Sequence, residues 1–144
     1  MGLDVGEKTI GIALSDEMGI IANPFSTIGR RSISKDFEDL KRIISEHDVA
    51  MIVVGMPINM DGTVGKRADS VGRFIGLLRE TVGLKVQPWD ERLSTKAVER
   101  VLIDGDLSRH KRKKVIDKMA ASYILQGYLD SIAGASTAEI GILS

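Results

Sequence analysis

The chain has no cysteine among its 144 residues. That excludes disulfides, thiolate metal sites and cysteine nucleophiles together, and fits a reducing compartment. Histidine occurs twice and aromatic residues make up 4%. With His47 at the end of an ordinary helix and His110 inside a basic run, no Ser/His/Asp constellation is available for nucleophilic catalysis. No apolar run approaches the ~18 residues of a membrane span, and no signal peptide is visible. Acidic and basic residues balance at 20 each, so bulk charge selects no polyanionic partner and any basic surface must be local. A hydrophobic fraction of 43% and a charged fraction of 28% are those of an ordinary globular domain, long enough for one real core. The expectation is one cytoplasmic α/β domain.

Hydrophobic periodicity orders the elements. Residues 2–5 read as a strand, Thr9 to Ser15 as a second, and Ile20 to Ile28 as a third, interrupted by Asn23-Pro24. Tight turns between them predict an antiparallel meander, with Pro24 at an edge or a bulge. Phe37, Leu40, Ile43 and Ile44 recur at helical spacing over about Ser34–His47. The continuous apolar run at 49–54 predicts a central strand buried on both faces. A helix over Val64–Val82 follows, with Ala68, Val71, Ile75 and Leu78 on one face, then a strand over 84–89. A further helix is expected from Ser94, carrying Ala97, Val98, Val101 and Leu102, with Leu93 and Val98 forming a hydrophobic staple around its cap. The last helix is expected over Arg109–Ile132, leaving 133–144 as a flexible, small-residue tail and 1–132 as the domain. Right-handed crossovers make the strands at 49–54 and 84–89 parallel to the first. The result is a mixed five-stranded sheet with helices packed on it, and Asp4 near the carboxyl end of its central strand.

Three acids then stand out. Asp4 ends a short strand before Gly6, and Glu91 follows the apolar run at 84–89. Asp117 shares a helix face with Ala120, Ala121 and Ile124, small enough at two positions to approach a sheet closely. Carboxylates gathered from two strands and a helix repel one another unless a divalent cation holds them. Oxygen-only ligands suit Mg²⁺ or Mn²⁺, and such a site stabilises in-line attack on phosphate. Asp90 should face the opposite side of its strand. Each acid also has an ordinary reading: turn chemistry for Asp4, a solvated charge run for Glu91, and an ion pair with Lys113 or Lys114 for Asp117.

Arg109-His110-Lys111-Arg112-Lys113-Lys114 puts five full positive charges immediately before Asp117. Basic residues at a helix start oppose its macrodipole, so helix stability alone does not favour them there. Beside a carboxylate site they suit a phosphate backbone. Arg30-Arg31 and Lys66-Arg67 are lesser basic patches, and Asn59-Met60-Asp61-Gly62-Thr63 is either a plain turn or part of the cleft lining.

Four blocks occur in the order found in one known family. Leu3-Asp4-Val5-Gly6-Glu7-Lys8-Thr9-Ile10-Gly11-Ile12-Ala13-Leu14-Ser15-Asp16 resembles the opening motif of the YqgF/RuvX family. Val53 to Thr63 is similar to its second block, Trp89 to Thr95 to its third, and Ile116 to Gln126 to its fourth. The resemblance implies an RNase H-like fold and a metal-dependent nuclease, described either as a processor of pre-16S rRNA in ribosome biogenesis or as a Holliday junction resolvase. It implies Asp4, Glu91 and Asp117 as catalytic, metal-binding acids for two Mg²⁺ or Mn²⁺ ions. It further implies contacts to rRNA precursor or branched DNA from Lys8, Arg92, Arg109, Lys111, Arg112, Lys113 and Lys114, in a monomer or homodimer. Thr9 departs from the pattern, since the family often has arginine there. The family's first strand usually begins a few residues earlier, so an upstream extension is expected. Competing readings are a non-catalytic nucleic-acid-binding, transcription-associated module, and an actin-like ATPase lobe, for which 144 residues are too few.

Overall fold

The computed structural model describes residues 1–58, 61–91 and 109–143, with side chains over 115–134 of the last stretch. The described elements are β1 (Gly2–Val5), β2 (Thr9–Ser15), β3 (Ala22–Gly29), α1 (Ile33–Glu46), β4 (Met51–Met56), α2 (Lys66–Val82), β5 (Lys85–Asp90) and α3 (Arg109–Leu143). The five strands form one sheet in the order β3-β2-β1-β4-β5. β1, β2 and β3 pair antiparallel, while β4 is parallel to β1 and β5 to β4. The expected architecture is present, with β1 at the centre. Pro24 satisfies both expectations at once: β3 is an edge strand, and the ladder register shifts between Ile12 and Ala13, the latter opposite Pro24. The helix expected from Ser94 and its staple lie outside the described residues.

The period of two along each strand sorts side chains between two cores. Leu3, Val5, Ile10, Ile12, Ile52, Val54 and Val86 face one side, where they bury against Phe37, Leu40 and Ile43 of α1 and Val71, Phe74, Ile75 and Leu78 of α2. Ala13 and Val53 face the other side and meet Ala121, Ile124 and Leu125 of α3, with Trp89, Tyr128 and Leu129 at the margin. The sheet is thus the middle of three layers. The alternation also assigns Gly2, Asp4, Gly11 and Gly55 to the α3 face, and, continuing from Trp89, Glu91 as well.

α1 starts at Ser32, whose hydroxyl accepts from the Lys35 N–H at 3.2 Å. α2 stops at Gly83 in the left-handed conformation at φ 66°. α3 continues over the small-residue stretch to Leu143, beyond the expected end at Ile132. That stretch holds no proline, and its alanines offset the weaker helix tendency of Gly134 and Gly141.

Glycines set how close α3 comes. A Cβ on Gly11 would overlap the main-chain carbonyl of Asp117, and one on Gly2 would stand 2.8 Å from the Ala121 carbonyl and 2.7 Å from Leu125 Cβ. Helix backbone therefore rests directly on strand backbone. Gly11→Ala should cost about 1–3 kcal/mol of stability or more, because both colliding partners are backbone. Gly29→Ala, with nothing within 4 Å of the added atom, should cost far less. Urea denaturation of both variants checks the difference.

Candidate functional site

Asp4, Glu91 and Asp117 line one open cleft of about 470 Å³, together with Gly6, Glu7, Lys8, Thr9, Arg67 and Ile116. Strand register explains the convergence. Asp4 pairs with Gly11 on β2, and Leu3 with Val54 on β4, so one step further sets Asp4 beside Gly55. The carboxylate on the central strand is flanked by two positions without side chains. Over Gly11 lies the backbone of Asp117. Over Gly55 lies the Glu91 carboxylate, whose Oε2 would be 2.6 Å from a Cβ added there. Glu91 follows β5 directly and remains tied to β4, its N–H donating to the Met56 carbonyl at 3.3 Å. Asp90 is exposed and Glu91 half-buried, as expected from alternation.

The electrostatics are those of acids crowded away from water. The Asp4 carboxyl is pushed up to about 7, first by burial and then by Glu91, through both charge and a shared hydrogen bond, with Asp117 adding repulsion. Glu91 is also raised by burial, but accepting the proton of Asp4 partly offsets the rise. Arg67, in the first turn of α2, draws both toward the ionised form. Asp117 is oriented by Thr9, whose hydroxyl donates to Oδ2 at 2.6 Å.

Two of these contributors were not evident from sequence. Thr9 stood out only as a departure from the family pattern, and Arg67 only as part of a lesser patch. Other expectations on charge divide. Lys8 lines the cleft. Arg30 and Arg31 are instead committed to ion pairs with Asp36 and Asp39, at 3.4 and 2.7 Å. Asp36, in the first turn of α1, is 1% exposed and serves as their buried anchor. The stretch 59–63 divides as well: Asp61 accepts from both the N–H and the hydroxyl of Thr63, which is turn chemistry, while Asn59 and Met60 lie outside the described residues. So do Arg92 and the side chains of Arg109, His110, Lys111, Arg112, Lys113 and Lys114. A larger cavity of about 540 Å³ opens at the other end of the sheet. Asp16 at its rim is occupied in receiving the N–H groups of Ile20 and Ile21.

A family model described as "RuvX: Holliday junction resolvase" matches residues 1–131. The chain belongs to the RuvX family. Relatives agree over nearly their whole length. A Desulforamulus reducens protein is 58% identical over 91% of this chain and 96% of its own, and one from Clostridium novyi is 49% identical over 92% and 98%. Both carry the name "Putative pre-16S rRNA nuclease". Among solved structures, Thermus thermophilus RuvC superposes with a TM-score of 0.52, and the same enzyme in complex with a Holliday junction substrate with 0.55. Each covers 92% of this chain at 10% identity, a likeness of fold that identifies the RuvX chain as RNase H-like.

Among the described residues no three acid or histidine side chains form a ready-made metal cage. The donor set nevertheless fits a hard divalent cation. It is all oxygen, and burial pushes the Asp4 and Glu91 carboxyls upward, with the charges of Glu91 and Asp117 adding to the rise at Asp4, a repulsion that a cation would relieve. Two expectations follow. The unfolded chain releases the Asp4 proton near pH 3.8 and the folded chain near 7, so this group's stabilisation is full at low pH and is lost as pH rises through 7. Without divalent ions, Asp4→Asn should therefore melt higher than wild type at pH 8, by roughly a few °C, with the gap closing toward pH 4. Thr9→Val should weaken Mn²⁺ binding by about 10–100-fold, as loss of a partner behind a metal ligand does, measured by titration calorimetry.

Proposed function

We propose that this RuvX-family chain is a divalent-metal-dependent nuclease that hydrolyses phosphodiester bonds in structured nucleic acid, with the pre-16S rRNA end as its substrate. The observation that carries the reading is the convergence of Asp4, Glu91 and Asp117 on one cleft of a fold shared with RuvC. A non-catalytic module would not need three acids held together against their repulsion. The names of relatives at 48–58% identity support the RNA substrate. No helix among the described residues is long and apolar enough to cross a membrane, and a cytoplasmic location fits a precursor-rRNA substrate.

Asp4, Glu91 and Asp117 would hold Mg²⁺ or Mn²⁺, two ions in this reading. When bound, such ions polarise the phosphate and lower the pKa of a coordinated water. The chain's own contribution is placement. Thr9 fixes the Asp117 carboxylate, and Gly55 leaves room for that of Glu91. Lys8 at the cleft edge supplies a positive charge for the phosphate backbone. Water adds to phosphorus as the bond to the 3′-oxygen breaks, and no covalent enzyme intermediate is needed. Basic residues of the α3 start, Arg109, Lys111, Arg112, Lys113 and Lys114, together with Arg92, would hold the strand over the acids.

The family description and the RuvC likeness favour one second reading, a DNA junction as substrate. Both use the same acids, so substrate choice needs its own test. Purified protein with Mn²⁺ should cut a precursor-rRNA end in preference to a four-way junction. Asp4→Asn should lose roughly two orders of magnitude or more in rate, since several kcal/mol of transition-state stabilisation go with the metal, while keeping its fold. Full activity in that variant would sink the assignment. Preferential cutting of the junction by a stable two-fold dimer would instead favour the resolvase.

A further inference from the structure

A second, smaller recess of about 120 Å³ adjoins the acidic cleft on the α2 side, lined by Val5, Gly6, Glu7, Arg30, Lys66, Arg67, Ser70 and Val71. Gly6, Glu7 and Arg67 border both, so the two hollows adjoin across the β1–β2 turn. Their charges are opposite in kind. The cleft holds Asp4, Glu91, Asp117 and Glu7 against Lys8 and Arg67. The recess holds Arg30, Lys66 and Arg67 against Glu7 alone.

The recess is built rather than incidental. Arg30 is its fixed wall: its guanidinium donates to the Gly6 carbonyl at 2.9 Å, pairs with buried Asp36 and lies over the Phe74 ring at 5.5 Å. Its own N–H donates to the Lys8 carbonyl at 2.8 Å. One residue thus grips the dividing turn at both ends. Lys66 and Arg67 stand in the first turn of α2 and Ser70 one turn on, and among the described residues none of their side chains donates a hydrogen bond or joins an ion pair. Two cations and a hydroxyl with uncommitted donors beside a fixed guanidinium suit an anion with several acceptor oxygens.

We propose that this recess is a phosphate subsite for the nucleic-acid strand, gripping a phosphate that flanks the scissile one through Arg67, Lys66 and Ser70. It rests on the nuclease reading above and adds a direction to it. The strand crosses the acids and leaves over the Gly6–Glu7 turn onto α2, so the flanking phosphate lies on one defined side of the cut. Arg67, common to both hollows, spans the two phosphates.

The test uses the Asp4→Asn chain, in which the strand stays uncut, with Mg²⁺ present, and reads oligonucleotide binding by fluorescence anisotropy across a salt series. Adding Arg67→Ala or Lys66→Ala should weaken binding roughly tenfold each and lower the slope of log K against log salt by about 0.7 per lost contact. Lys41→Ala on exposed α1 should change neither. A single neutral methylphosphonate, walked along the strand, should weaken binding at one position next to the cleavage site. Its effect there should vanish in the Lys66→Ala/Arg67→Ala chain. Affinity and salt slope unchanged in that double variant would overturn the subsite while leaving the nuclease reading intact. Failure of the unsubstituted chain to bind or cut any strand would overturn both.

Discussion

The seating of α3 directly on the sheet backbone is the contact on which the site depends. Gly2 and Gly11 admit helix carbonyls at distances that no side chain would allow, and Gly55 admits the Ile124 side chain and the Glu91 carboxylate together. Interiors are packed too tightly to yield by an ångström at low cost. A bulkier residue at Gly11 would lift the helix, and Asp117 would move with it. The distance between the carboxyls of Asp4 and Asp117 is therefore set by two hydrogen atoms on β2. Alanines answer from the helix side, Ala120 and Ala121 being 1% and 0% exposed.

Gathering three acids around the central strand opposes folding, and the surroundings show how this is contained. Burial and the neighbouring charge of Glu91 draw Asp4 toward its protonated form. Thr9 gives Asp117 a hydroxyl donor in place of a neighbouring charge. Arg67 adds a positive field without an ion pair that would occupy the carboxylates. The same acid–guanidinium chemistry appears behind the site in the Arg30–Asp36 pair, now buried and structural. A buried pair contributes little net stability once desolvation is counted, but breaking it leaves an uncompensated charge. Its value here is positional, because it fixes the turn that carries Lys8 and Glu7 to the cleft rim.

Where sequence reasoning reached the structure, it relied on patterns that one element carries by itself. Alternation in β1 and β2, the apolar run of β4, and the spacing of Ala68, Val71, Ile75 and Leu78 are all local, and the sheet order followed from them with one handedness rule. Asp117 was legible because the small residues beside it lie one turn away on the same helix. Gly11 and Gly55 were not, since a glycine within a strand means close approach only once the approaching partner is known. The same holds for Thr9 and Arg67, whose partners are separated from them by long stretches of chain. Asp36 was not legible either, since Arg30 and the Arg31 N–H that draw it inward lie outside its helix.

In the proposed nuclease reading the acids would set the chemistry of cutting and leave open what is cut, since any polynucleotide strand presents the same phosphates. Discrimination must come from groups that sense where the backbone goes after it leaves the cleft. Two basic elements belong to different helices: the first turn of α2, whose Arg67 lines the acidic cleft beside Lys66, and the run Arg109 to Lys114 that precedes Asp117 in sequence. A strand held at both has its path across β1 determined, and with it the angle at which a flanking helix or branch must depart. Substrates with the same scissile phosphate but different departure angles then differ in how many of these cations they can reach. Since each phosphate contact is a salt-dependent increment of affinity, selection between a precursor-rRNA end and a four-way junction would in that reading be a matter of backbone geometry and not of base recognition. The fold is shared with RuvC at 10% identity, and under this reading the cations set on it would decide which backbone path it accepts.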